Sequence, residues 1–435
     1  MCNSETCTFA PPQLAIQTRH AQTYPPLRHP PQRLPCRWHD LRDQALRQAG
    51  HGPDRRRRPL RRSRRFYKEQ TPGAPVTVGK RHLRSGRAQA VVVNSGCAND
   101  ATGQEGVDNA IKTCKLVSEA LAGQGVSFTH RDVVPSSTGV IGPQLQMDKI
   151  AKGVSQLVAG LARGPKADAD AARGIMTTDL VPKPANASFK LNGKTVHLGG
   201  IAKGSGMIAP NMATMLVFIT TDAAVSPTML KQALKQATAA SFNRISVDQH
   251  TSPSDTVAIL ASGLAGNKAV TRPGKDFDLF TEKLRELCNN LAYHIVKDGE
   301  GATRIFHVAV NGARNEREAD RVARAVVDSP LVKTAVHGGD PNWGRIVTAA
   351  GYSGVPISPT KLSLSIGKQG PQSVEVFNRG VPSKLSPAQT RRLTQAMRQK
   401  EVYFALDLGR GKAGVNWLGC DLSREYIRIN AEYTT

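Results

Sequence analysis

A small residue followed by threonine, set between a glycine-rich loop and an apolar run, is a spacing that can do chemistry. Here the loop runs from Gly199 to Pro210, and Ala213-Thr214 precede the apolar run Met215 to Ile219. The Thr214 hydroxyl can attack the Ala213 carbonyl, shift the chain to an ester and let water open it. Thr214 would then carry a free α-amine beside its own hydroxyl. That amine, less basic than a lysine, can serve as general base near neutral pH. Ala213 leaves room for the attack, and the upstream glycines let the loop adopt a strained geometry. Taken alone the pair is weak, because an Ala-Thr before a strand is far more often structural. Gly204-Ser205-Gly206 is equally weak as a phosphate cradle, since the remainder of either nucleotide fingerprint is missing. The histidines, among them His250, His294 and His337, show no ligand spacing, and no metal is assigned.

The elements that must position this loop can be read from hydrophobic period and turn chemistry. Ala88–Val93 reads as a short buried strand ending in the Asn94-Ser95-Gly96 turn. Val107, Ala110, Ile111, Cys114, Val117 and Leu121 mark one face of a helix that stops at Gly123. Asp132–Pro135 leads into a polar-glycine turn, Ser136-Ser137-Thr138-Gly139, and Met147, Ile150, Val154, Leu157 and Leu161 stripe a second helix. Asn192-Gly193 between two alternating runs signals a type I′ hairpin. Thr214–Thr220 and Val257–Leu260 read as strands, and Ser226-Pro227 as the N-cap and first residue of a helix. Phe277, Phe280, Leu284, Leu287, Leu291 and Ile295 stripe a long helix ending near Lys297. Arg304–Asn311 reads as a strand, with a helix from about Asn315. A helix near Pro387–Lys400 and strand-like runs at Val402–Leu408, Val415–Leu418 and Tyr426–Asn430 close the chain. Strands and helices mixed without strict βαβ alternation predict a layered α+β fold.

At 435 residues the chain has room for two or three cores, and 39 glycines with few aromatics suit many tight turns. The longest apolar runs are too short to span a bilayer. Seven scattered cysteines without metal spacing read as reduced thiols, with Cys114 and Cys288 on the apolar stripes of helices. The expectation is a soluble, cytoplasmic protein with no membrane partner. A net charge of +25 raises nucleic acid as a partner, but residues 1–65 hold fourteen arginines, no lysine and four acids. The excess elsewhere is spread out, and no aromatic–basic interleaving accompanies it, so no nucleic-acid partner is expected. Residues 1–65 show no sustained period, and three readings stay open: a disordered basic arm, a targeting sequence, or a mistranslated segment.

Several ordered stretches together resemble the ornithine acetyltransferase (glutamate N-acetyltransferase) family of arginine biosynthesis. The segment Gly200–Leu216 resembles its cleavage segment. The others are Val93–Asn99, Ser137–Gly142, Ile175–Asp179, Asp298–Thr303 with Asp340–Arg345, and Asn430–Thr435. The similarity covers about Phe66 to Thr435. It implies the layered fold shared with self-cleaving aminopeptidases, and a chain cut between Ala213 and Thr214 into an upstream part, 66–213, and a downstream part, 214–435. It also implies a heterotetramer of two cleaved pairs. Thr214 is then the nucleophile, and Thr138 and Gly139 form the oxyanion hole. Thr177, Lys203, Thr214, Glu300, Asn430 and Thr435 line the amino-acid site. Lys203 can pair with a substrate carboxylate and Glu300 with an ammonium. The implied reaction moves acetyl from N2-acetyl-L-ornithine to L-glutamate without a cofactor, with acetyl-CoA as a donor that some members also use.

Read without the resemblance, Lys203 is an ordinary loop lysine, Glu300 a neutraliser of Lys297, and Trp343 and Arg345 structural. The chain also departs from the family pattern. Gln249-His250 stand where Gly-Asp is usual, Pro253-Ser254 where Thr-Asn is usual, and Cys97 in place of asparagine. Alternative functions are an inactive relative and a self-cleaving aminopeptidase of the same superfamily.

Overall fold

The parity of a few valines decides how this chain is layered. The computed structural model describes residues 14–19, 72–126, 128–209, 215–368 and 370–432. The first third supplies β1 (Leu14–Arg19), α1 (Ala74–His82), β2 (Ala90–Cys97), α2 (Gly103–Ala122), β3 (Val133–Val140), α3 (Met147–Ala159) and α4 (Pro165–Gly174). Its three strands form one parallel sheet in the order β1-β2-β3. Successive strand residues point to opposite faces. Ala90 and Val92 therefore pack with Cys114, Val117, Ile150 and Val154 of α2 and α3. Val91 and Val93 face the other way, onto Leu216, Phe218 and Ala258.

Those three residues belong to a second sheet. The middle of the chain forms β4 (Lys183–Leu191), β5 (Lys194–Lys203), β6 (Leu216–Thr221), α5 (Pro227–Ala240), β7 (Ile245–Ser246), β8 (Thr256–Ala261) and α6 (Lys275–Lys297). The sheet order is β4-β5-β6-β8. Val217 and Ile219 alternate with Leu216 and Phe218, and they face Phe280, Leu284, Leu287 and Leu291 of α6. The result is helices, sheet, sheet, helices, with each sheet covered on both faces, as buried strands require.

The last third forms β9 (Ile305–Ala313), α7 (Glu316–Val327), α8 (Pro330–Gly338), α9 (Trp343–Gly351), β10 (Ser363–Ile366), β11 (Val374–Asn378), β12 (Val381–Pro382), α10 (Pro387–Met397), β13 (Glu401–Asp407), β14 (Ala413–Cys420) and α11 (Arg424–Glu432). Its seven-stranded sheet, which also takes in β7, packs against α7 to α10 around a core of its own.

Local chemistry explains most of the boundaries. Asn192 and Gly193 have φ of 50° and 76°, the two left-handed residues that a type I′ hairpin needs between β4 and β5. Ser226, Asn315 and Ser386 each accept the N–H three residues on and cap α5, α7 and α10. Cys114 and Cys288 are fully buried in apolar cores, and burial pushes both thiols far above their usual range.

Four expectations are corrected. Neither 94–96 nor 136–139 is a turn: the first continues β2 and the second β3, because the two stretches stay in register from Asn94↔Ser137 to Gly96↔Gly139. Tyr426–Asn430 is not a strand. Its apolar–polar alternation mimics period 2, yet Ser423 accepts the Tyr426 N–H, and Arg428 pairs with Glu425 and Glu432 at helical spacing. The stretch 1–65, read as free of elements, contains β1, paired with β2 from Leu14↔Ala90 to Arg19↔Ser95. The other residues of that stretch lie outside the described ones.

Candidate active site

Lys203 ends β5, and its register partner is Leu216, the first residue of β6. The segment between them leaves and re-enters the sheet at adjacent positions. Ala213, Thr214 and Thr435 lie outside the described residues. The re-entry point is pinned by Asp255, whose Oδ1 accepts the Met215 N–H at 3.1 Å, just before Thr256 pairs with Leu216.

Across this point stands the end of β3. The Lys203 ammonium donates to Thr138 Oγ1 at 3.3 Å, and both residues are buried. Gly139 has φ of +127°, and a Cβ there would lie 2.4 Å from the Gly96 carbonyl carbon. The close approach of β2 therefore requires glycine at 139. Ser137 donates to Asn94 Oδ1 at 2.5 Å, which ties the same two strand ends together.

Behind Lys203 lies a buried group of alternating charge. Asp179 Oδ1 accepts from Lys183 Nζ at 2.6 Å and from the Gly204 N–H at 2.6 Å. Asp179 Oδ2 accepts the Thr177 N–H at 3.0 Å and lies 4.0 Å from Lys203 Nζ. Lys183 also donates to Asp298 Oδ2 at 2.6 Å. Burial by itself would raise the Asp179 carboxyl, but Lys183 and Lys203 beside it hold it at about 2. Burial lowers the Lys203 ammonium below its ordinary value, against the pull of Asp179.

The outer wall comes from the loop after α6 and from α11. Glu300 donates its N–H to the Ser205 carbonyl at 2.9 Å and accepts from Asn430 Nδ2 at 3.0 Å. Its carboxylate occupies the space that a side chain at residue 206 would take: a Cβ on Gly206 would lie 2.2 Å from Glu300 Oε2. Ser205 and Thr178 share a hydroxyl–hydroxyl bond of 2.7 Å. Asp248 accepts the N–H groups of Met207 and Ile208, at 2.5 and 2.9 Å, and so anchors the far end of the loop. Burial raises its carboxyl.

Thr138, Gly139, Thr177, Lys203, Glu300 and Asn430 are thus gathered around the loop 203–209. Glu300 bonds Asn430 rather than serving Lys297. Arg345 donates to the Leu331 carbonyl at 2.9 Å and Trp343 stacks on Phe377, both structural as read from the sequence. Sequence reasoning missed Lys183, Asp248 and Asp255, and it gave Asp179 and Asp298 no role. Among the described residues, no group of three or more His, Cys, Asp or Glu could hold a metal ion. The departures have structural counterparts. Gln249 takes φ of +67°, the region that favours the usual glycine. Ser254 Oγ bonds Asp100, and the Pro253 carbonyl accepts the Gly73 N–H at 3.0 Å.

The arginine biosynthesis bifunctional protein ArgJ of Symbiobacterium thermophilum is 43% identical over 362 residues, covering 83% of this chain and 86% of that one. The protein of the same name from Geobacillus kaustophilus is 45% identical over 365 residues, covering 83% and 85%. Among solved structures, the arginine biosynthesis bifunctional protein argJ from Bacillus halodurans is 39% identical and covers 49% of this chain and 97% of its own, with a TM-score of 0.46. The ornithine acetyltransferase of Mycobacterium tuberculosis complexed with ornithine is 36% identical, covering 34% and 74%, with a TM-score of 0.30. The ArgJ family model matches residues 56–435, ten residues further upstream than Phe66, and on that match and these identities the chain belongs to the ArgJ family.

Proposed function

We propose that this acyltransferase of arginine biosynthesis cuts its own chain before Thr214 and then carries acetyl on that threonine. The observation that carries the reading is the buried Lys203 ammonium, held against Thr138 Oγ1 at the strand end that lies in register with Leu216. Covalent connection puts Thr214 two residues from Leu216.

In the first step the Thr214 hydroxyl adds to the Ala213 carbonyl, the peptide C–N bond breaks, and water opens the ester. This leaves the Ala213 carboxylate and a free Thr214 amine. That amine then takes the hydroxyl proton as the Thr214 oxygen attacks the acetyl carbonyl of N2-acetyl-L-ornithine. Thr138 and the Gly139 N–H would hold the oxyanion, and loss of such a donor costs about 10²–10³ in kcat. The C–N bond breaks, the proton passes to the leaving amine, and ornithine departs. The amine of L-glutamate attacks the acetyl ester, and Thr214 is regenerated. Lys203 receives the substrate carboxylate, Glu300 takes an ammonium, and Thr177, Asn430 and Thr435 supply neutral hydrogen bonds. No cofactor is needed. Acetyl-CoA is a second donor to test, and the working assembly is a heterotetramer of two cleaved pairs in the cytoplasm. No helix among the described residues is long and apolar enough to cross a membrane.

The test is the intact mass of the purified protein beside Thr214→Ala, followed by initial rates. Two fragments, each near half of the 46.7 kDa chain, with a new amino terminus at Thr214 and absent in the variant, are expected. Parallel lines in the double-reciprocal plots should follow. An uncut wild-type chain would sink the reading.

A further inference from the structure

Lys183 takes no part in this chemistry, yet it is the most enclosed cation near it. It opens β4 with its side chain fully buried. Its Nζ donates to Asp179 Oδ1 at 2.6 Å, to Asp298 Oδ2 at 2.6 Å and to the Val181 carbonyl at 3.3 Å. Asp298 Oδ2 also accepts the N–H groups of Leu180 and Val181, at 3.0 and 3.4 Å. Two ammonium groups and two carboxylates therefore balance out of water, where an unpaired charge would be strongly unfavourable.

The distances within this group are unequal. Asp179 stands 2.6 Å from Lys183 but 4.0 Å from Lys203. Lys203 instead makes its hydrogen bond to Thr138 Oγ1, at 3.3 Å. Asp179 is the nearer charge to draw Lys203 away, and Lys183 already satisfies it. We infer that Lys183 is a positioning residue: by occupying Asp179, it keeps the Lys203 ammonium at Thr138 and available to a substrate carboxylate. The inference rests on the proposed function, in which Lys203 receives that carboxylate. The charged groups facing Lys203 are Asp179, Lys183, Glu300 and Asp255. Of these only Lys183 carries the same sign, so its removal lets Lys203 both swing toward Asp179 and hold its proton more tightly.

The experiment compares wild type, Lys183→Met and Lys183→Met/Asp179→Asn. The readouts are the KM for glutamate and the pH profile of kcat/KM, with self-cleavage read by mass as the report on folding. In Lys183→Met the KM should rise about tenfold with a much smaller change in kcat, as loss of a ground-state contact predicts. The alkaline limb should move to higher pH. In the double variant the competing carboxylate is gone, so both quantities should return toward wild type. The double variant also keeps the charges balanced, so it decides the matter even if the single variant does not fold. A KM and alkaline limb unmoved in Lys183→Met, or a tenfold loss persisting in the double variant, would overturn the inference. Wild-type protein that transfers no acetyl would instead overturn the functional reading.

Discussion

At the scale of single residues, the site depends on where a side chain cannot be. A methyl group on Gly139 would meet the backbone of β2, and its φ of +127° is unfavourable for any other residue. Gly139→Ala should therefore cost roughly 3 kcal/mol or more in stability, read as a lower denaturant midpoint or loss of soluble protein. Gly206→Ala should behave differently. Its methyl group meets the flexible end of Glu300, which can move, so the variant should fold and cleave while its KM for acetylornithine rises. Lys203→Met should lower kcat/KM about 100-fold or more, through loss of a charge-assisted bond to the carboxylate. Lys203 and Glu300 were legible because each lies in a motif. Lys183 was not, because one of its two carboxylate partners, Asp298, is 115 residues away. Only the fold brings that pair together.

At the scale of elements, helices and strands with one strong period were legible to within a few residues. The stripe Phe277 to Ile295 matches α6, and the Asn192-Gly193 turn matches its hairpin. The failures were elements whose stability comes from elsewhere. Helix α11 has no buried residue, so no apolar stripe announces it. Ser423 secures it by accepting the Tyr426 N–H, and the same hydroxyl donates to the Gly301 carbonyl at 2.6 Å. Ser423→Ala should thus loosen α11 and the loop bearing Glu300 together. The expected result is a raised KM with almost no change in the global unfolding midpoint, since the loss is local. Where a cap holds a packed helix the balance reverses. Ser386→Ala should destabilise the fold by about 1 kcal/mol, measured by denaturant unfolding, and leave KM unchanged.

At the scale of the whole molecule, the buried charges set a pH dependence. The Asp179 carboxyl is held at about 2 in the fold, against an ordinary value of 3.8. A depressed carboxyl stabilises the fold fully above its unfolded value, and the contribution is lost as pH falls through the folded one. The unfolding midpoint should therefore fall between about pH 4 and 2, and less steeply in Asp179→Asn. Asp248 works in the opposite direction, because burial raises its carboxyl and its protonation favours the fold as pH drops. A midpoint equally steep in the variant would remove Asp179 as the cause.

The adjacency of β5 and β6 has a consequence for folding itself. These strands pair from Leu198↔Thr221 to Lys203↔Leu216, and they lie on opposite sides of the proposed cut. One apolar core takes Val196, Leu198 and Ala202 from one side and Val217 and Ile219 from the other. A single scission would thus leave the shape intact while changing the order of the reaction that makes it. In the uncut chain β5 and β6 belong to one molecule, so their pairing does not depend on dilution. The cut pair must find each other again, and its melting temperature should rise with protein concentration. Self-cleavage before Thr214 would then commit the molecule to a shape it regains only by reassociation.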